Sequence, residues 1–214
     1  MNGKNSTKDR ILNAAEGLFA ERGFAETSLR MITSRANVNL ASVNYHFGSK
    51  KALIQAVFDR FLQQLSEGLN KGFLELEQRP EAPTIEQVIE ALLNPVLAID
   101  EVRVNGTAIF MRLLGRAYAE TQGHLRRFML ERYGYLLGRF NKQIQRAYPE
   151  LPANQLFWRL HFMLGSMVFT LAGSQALQEI AESDFKEDVD VAGIAKRLVS
   201  FLAAGMRADV MRLS

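Results

Sequence analysis

The chain has 214 residues and a mass of 24.1 kDa, enough for one large domain or two small ones. Hydrophobic residues make up 48% and charged residues 23%, which excludes disordered and fibrous classes. The absence of cysteine excludes a disulfide framework, a Cys-ligated zinc and a thiol nucleophile. The net charge of +3 is unevenly spread: residues 1–51 carry eight Lys/Arg against four acids, and the remainder carries 18 against 19.

The start of the chain, MNGKNSTKDR, is polar and has no apolar signal-type core. The most apolar run, Phe162 to Gly173, falls short of the ~20 residues that span a bilayer. A cytoplasmic protein with no membrane role is therefore expected. Strand signals are nearly absent, so the expected fold class is all-α.

Ser6 and Asp9 have capping-box spacing and open a first helix from Thr7 to Arg22, stopped by Gly23. Its apolar stripe is Ile11, Leu12, Ala15, Leu18 and Phe19. Ser28 caps a second helix that runs to about Arg35. Asn37 tolerates the left-handed conformation of a tight turn, and Asn39 caps a short third helix from Leu40 to about His46. Ser49 caps a long helix from Lys50 to about Gln78. Pro80 to Pro83 read as a linker, and Thr84 to Gln87 as a second capping box, opening a helix to about Ile99. Further helices are expected at about 104–120, 122–147, 154–181 and 190–211, with a charged loop from Asp184 to Asp190, where Asp190 is the cap.

Helices two and three, separated by a short turn, form a helix-turn-helix candidate. Leu29 and Ile32 face inward from the second helix, and Val38, Val43 and Phe47 anchor the third. The remaining positions (Asn39, Leu40, Ala41, Ser42, Asn44, Tyr45 and His46) are uncharged or small enough to approach a major groove. Ser28, Arg30, Tyr45, His46 and Lys50 surround that face as candidate phosphate ligands.

Catalytic signals are poor: there is no HExxH, GxGxxG or Walker sequence, and no enzymatic activity is expected. No cofactor and no metal site is expected either. In FMRLLGRAY (Phe110 to Tyr118), Arg112 and Arg116 lie one helical turn apart on an otherwise apolar helix, an arrangement suited to an anionic head group at a pocket mouth. Solvated or salt-bridged arginines would give the same pattern. LFWRLHFMLGSMVFTL (Leu156 to Leu171) is apolar nearly all round and predicts a helix buried on most sides. Its Met and aromatic side chains suit either an alkyl-chain pocket or plain core and interface packing.

The run TSLRMITSRANVNLASVNYHFGSKKAL (Thr27 to Leu53), preceded by ILNAAEGLFAERGF (Ile11 to Phe24), resembles the DNA-binding domain of the TetR family of transcriptional regulators. That resemblance implies a homodimer, a helix-turn-helix domain over residues 1–51 that continues into the helix from Lys50, and a ligand-binding and dimerisation domain over residues 52–214. It implies base-edge contacts for Leu40, Ala41, Ser42 and Asn44. Arg30 would also reach a base, and Ser28, Tyr45, His46 and Lys50 would meet phosphates. Asn44 stands where the family commonly has Tyr, and Asn37 where it usually has Gly.

FMRLLGRAYAETQGHLRRF, FWRLHFMLG and FLAAGMRAD further resemble PsrA-type regulators within that family. This implies a repressor of fatty-acid degradation genes that leaves a pseudo-palindromic double-stranded operator when a long-chain fatty acid or acyl-CoA binds. On that basis Phe110, Leu114, Trp158, Phe162 and Met163 are expected around the acyl chain, and Arg112 or Arg116 at its head. The dimer interface is expected at Gly165, Phe169, Ile194, Leu198, Phe201 and Leu202. Two alternatives remain at this point: a TetR-type regulator of an unrelated apolar effector, and an all-α lipid-binding or acyl-transfer protein without a DNA role.

Overall fold

The computed structural model describes residues 6–120 and 123–209. Among these there are eleven helices and no strand: α1 (Thr7–Arg22), α2 (Leu29–Ala36), α3 (Leu40–Phe47), α4 (Lys50–Glu77), α5 (Ile85–Leu97), α6 (Ile99–Val102), α7 (Gly106–Ala119), α8 (Gly123–Ala147), α9 (Ala153–Ala172), α10 (Ser174–Phe185) and α11 (Val191–Arg207).

The expected caps form where the local spacing places them. Ser6 and Asp9 bond reciprocally, as do Thr84 and Gln87. Ser28, Asn39, Ser49 and Asp190 each accept a backbone N–H from the first turn that follows. The α1 stripe from Ile11 to Phe19 is buried against α2, α3, α4 and α7. Beyond the N-terminal helices, α4 is the spine. α5 and α8 pack along it, α11 packs on α5 and α9, and α7 lies between α9 and α1. Gly68 lets α5 come close, because a Cβ there would sit 2.8 Å from Pro95 Cβ.

Four expected boundaries change. The helix expected at 154–181 is two helices, since the chain leaves helical geometry at Gly173 and α10 departs at 69° from α9. The helix expected to reach Ile99 ends at Leu97, and α6 follows as a separate turn. The charged loop begins only after Phe185, with Lys186 in the left-handed region at φ 57°. The last helix ends at Arg207, and the expected extension to 211 lies partly outside the described residues.

Arginines stitch the helices together. Five of them donate to carbonyls at or just past the C-terminal end of another helix, where backbone acceptors lack intrahelical partners and the helix dipole is negative. Arg10 serves α2, Arg116 serves α1, Arg112 serves α9, Arg146 serves α4, and the buried Arg159 serves α11.

Candidate nucleic-acid interface

The α2–α3 turn is built as the sequence demands. Asn37 adopts φ 49°, ψ 55°, and Val38 N–H closes the turn on the carbonyl of Thr33 at 3.0 Å. Arg10 holds this turn from α1: its Nη2 lies 2.6 Å from the carbonyl of Ala36 and also donates to that of Asn37. Arg35 and Glu21 pair in bidentate fashion at 2.8 and 2.9 Å, so Arg35 is spent on holding α2 against α1.

α3 then has two distinct faces. Val43 is fully buried, with Val38 and Phe47 packed beside it. Leu40, Ala41 and Asn44 are exposed, and Tyr45 is 86% exposed with its ring edge-on to His46. A large aromatic ring standing in solvent is an unsatisfied surface of the kind a partner covers. Asn39 Oδ1 is occupied by the backbone N–H of Ser42 at 2.8 Å and by its hydroxyl at 2.9 Å, so of these two residues the Asn39 amide NH2 keeps its donors free. Ser28 likewise uses its hydroxyl oxygen as the α2 cap. Arg30 is exposed and makes no ion pair among the described residues. Lys50 makes one long contact, 3.5 Å to the carbonyl of Ala25. Structure thus gathers all ten expected residues on α2, α3 and the start of α4.

A family model described as the bacterial regulatory proteins, tetR family, matches residues 11–57, and one described as the tetracyclin repressor-like, C-terminal domain matches residues 90–205. The chain belongs to the TetR family of bacterial transcriptional regulators. Among curated relatives, it is 44% identical over 68 residues to the HTH-type transcriptional repressor Rv3405c of Mycobacterium tuberculosis, covering 32% of this chain and 36% of that one. It is 43% identical over 51 residues to the HTH-type transcriptional regulator UidR of Escherichia coli, covering 24% and 26%. The chain therefore spans less than half the length of these relatives. Two solved structures share its fold. The fatty acid degradation regulator FadR from Bacillus halodurans has a TM-score of 0.59 at 16% identity, covering 97% of this chain and 100% of that one. A TetR-like transcriptional regulator from Rhodococcus sp. RHA1 has a TM-score of 0.54 at 19% identity, covering 98% and 100%.

The residues expected to hold an effector in this TetR-type chain are divided between the core, the ends of helices and the outer surface. Phe110 is core, its ring 5.2 Å from Phe61 and 6.4 Å from Phe58. Leu114 packs against the core, and Met163 is buried beneath α9. Arg112 donates to the carbonyl of Ala172 at 3.2 Å, and Arg116 to Glu21 at 2.9 Å, so both cations are engaged by helix ends. Trp158 and Phe162 stack on each other at 6.2 Å on the outside of α9. That helix is therefore not buried on most sides within the chain: Phe162 is 67% and Phe169 75% exposed.

The interface residues also divide. Gly165, Phe169 and Phe201 lie on the outer surface. Ile194, Leu198 and Leu202 are buried within the protomer, because the apolar stripe of α11 is used against α5 and α9. The contacts that sequence reasoning missed are Arg10 at the turn, and Glu16, Arg103 and Glu120 between α1 and the helices around α7. Among the described residues no group of His, Asp and Glu is arranged to hold a metal, and no single helix is long and apolar enough to cross a membrane.

Proposed function

We propose that the chain is a homodimeric repressor that reads a pseudo-palindromic operator through α3 and is released by a long-chain fatty acid or its CoA thioester, controlling fatty-acid degradation genes. The observation that carries the DNA role is the split face of α3, with Val43 buried while Leu40, Asn44 and Tyr45 face solvent. The uneven charge supports it, since the basic excess lies in residues 1–51. The exposed aromatic strip on α9, from Phe157 to Phe169, supports association with a second copy, because strips this apolar mark interfaces. The acyl effector draws support from the resemblance of the C-terminal segments to PsrA-type regulators and from the shared fold with a neighbour named as a fatty acid degradation regulator.

In a dimer the two α3 helices would meet successive major grooves about 34–36 Å apart. Effector would act by favouring a conformer with another spacing, to the extent of its differential affinity. A gel shift with the DNA upstream of the chain's own gene, with and without oleoyl-CoA, tests both halves. Retarded DNA that is freed by oleoyl-CoA is expected. No retardation at low salt overturns the regulator reading, and retardation unaffected by oleoyl-CoA or oleate overturns the acyl effector.

A further inference from the structure

A cleft of about 350 Å³ opens where the N-terminal helices meet the rest of the chain. Its walls are Asn13 of α1, Arg60, Phe61 and Gln64 of α4, Ile99 and Val102 of α6, and Arg103. Behind it lies Glu16, a carboxylate on α1 with a side chain only 2% exposed. Its Oε1 is 2.6 Å from Arg103 Nη2, while Oε2 is buried without a hydrogen-bond partner.

Arg60 is equally incomplete. One terminal nitrogen donates to Asn13 Oδ1 at 2.8 Å, and the other is buried and unpartnered. The Arg103 guanidinium lies over the Phe61 ring at 5.3 Å. Two guanidinium groups thus line a cleft whose nearest buried carboxylate pairs directly with only one of them and keeps its second oxygen unpartnered. Asp9, further back on α1, is exposed and bonded to Ser6.

Arg103 is held firmly in this place. The turn that carries it closes through Gly106 N–H to the Arg103 carbonyl at 2.9 Å, with Asn105 at φ 56°. Thr107 fastens the same turn, its N–H donating to Asp100 and its hydroxyl to the carbonyl of Val96. Phe61 forms the apolar floor and leads inward to Phe110.

We propose that this cleft binds the carboxylate of an amphiphilic monocarboxylic acid between Arg60 and Arg103, with the adjoining alkyl carbons on the exposed side chain of Val102, above the buried Phe61 and Ile99. At roughly 30 Å³ per heavy atom the cleft accommodates about a dozen atoms. That is a whole medium-chain acid, or the head end of a longer one. The inference deepens the effector reading above by placing the head group, and it rests on that reading.

The site also couples binding to DNA release. Glu16 belongs to α1, under the recognition helix, and Arg103 to the α6–α7 turn. A ligand carboxylate competes with Glu16 for Arg103. Once Arg103 is shared, Glu16 is left buried with a weaker partner, and the docking of α1 on the α6–α7 turn loosens.

Isothermal titration calorimetry of the full chain with sodium decanoate tests this, with decanol as the neutral control. Decanoate is expected to bind and decanol not. Arg60→Gln leaves the Glu16–Arg103 pair intact and should weaken decanoate about tenfold, the loss of one charge-assisted hydrogen bond. Glu16→Gln removes the competitor and should tighten decanoate severalfold, a gain that a merely structural role for Glu16 would not produce. Equal binding of decanol, unchanged affinity in Arg60→Gln, or weaker affinity in Glu16→Gln overturns the proposal. Release of operator DNA by oleate, the free acid, that is unchanged in Arg60→Gln overturns the site while the regulator reading stands. Decanoate binding that responds as expected, with DNA indifferent to acyl ligands, overturns the effector reading while the site stands.

Discussion

Arg116 and Glu120, one turn apart at the end of α7, grip the two sides of the turn at Gly23 that ends α1. Arg116 donates to the carbonyls of Ala20 and Glu21, and Glu120 accepts the backbone N–H groups of Phe24 at 3.1 Å and Ala25 at 2.9 Å. Between them sits Gly23 at φ 89°, ψ 171°, where a Cβ would collide with the Glu120 carboxylate and approach Arg116 Nη1 to 2.8 Å. Gly23→Ala should therefore cost about 1–3 kcal/mol, by urea unfolding, through both backbone strain and loss of the clamp. Glu120→Gln offers one acceptor where two are needed and should cost about 1–3 kcal/mol. If either variant unfolds at the wild-type midpoint, the clamp does not hold α1 to α7.

The α2–α3 turn makes a sharper distinction between side chains. At φ 49° a glycine is relaxed, so Asn37→Gly should leave the melting temperature within a few degrees of wild type. Asn37→Val should cost about 1–2 kcal/mol, since a β-branched residue resists the left-handed region. The Arg10 bonds are to backbone carbonyls and survive both changes. A valine variant as stable as the glycine one would show that the turn is not held in this conformation.

Lys50 stands at the first turn of α4 with only a 3.5 Å contact to Ala25, leaving its charge for a phosphate. Lys50→Ala should weaken binding to all DNA sequences alike and lower the slope of log K against log salt by about one per side chain removed. Loss of affinity for a single operator variant would instead mark Lys50 as a base reader.

Acid should loosen the junction of α5 and α11. The hydrogen bonds from Arg207 pull the Glu86 carboxyl from 4.5 down to about 2. A depressed carboxyl contributes stability above its ordinary value, and that contribution fades as pH falls from about 4.5 towards 2. Both side chains are more than a third exposed, so the contribution is under about 1 kcal/mol. Urea midpoints of wild type and Glu86→Gln should differ slightly at pH 7 and converge near pH 2. A difference that persists undiminished at pH 2 would rule the ion pair out as its source.

The outer face of α9 can be tested without DNA. Phe162→Glu and Phe169→Glu place charge where a second copy would pack, and sedimentation should shift towards monomer. Both rings are exposed in the protomer, so its unfolding midpoint should change little. Variants that remain dimeric would move the interface elsewhere.

What could be read in the sequence was local. Every expected cap forms, because donor and acceptor lie three residues apart and the side chain alone decides the bond. The α2–α3 turn and the exposed face of α3 follow from Asn37, Val43 and Phe47 for the same reason. The arginine stitches could not be read this way. Their acceptors are backbone carbonyls, present at the end of every helix whatever its sequence, so nothing in the pattern tells Arg116 at a pocket mouth from Arg116 on α1. The side of α9 that faces out was hidden too. A helix apolar on all sides has no periodicity to divide core from interface, and only the positions of α7 and α11 show that Met163 turns inward and Phe162 outward.

Trp158 is the sole tryptophan of the chain, and it stands on α9 in partial contact with water, stacked against Phe162. Whatever covers that strip takes the indole out of water and moves its emission to shorter wavelength. Nothing else in the protein emits as tryptophan does, so the spectrum comes from this surface alone. Association of a second copy on this surface would thereby be readable by fluorescence at low concentration, with no label attached.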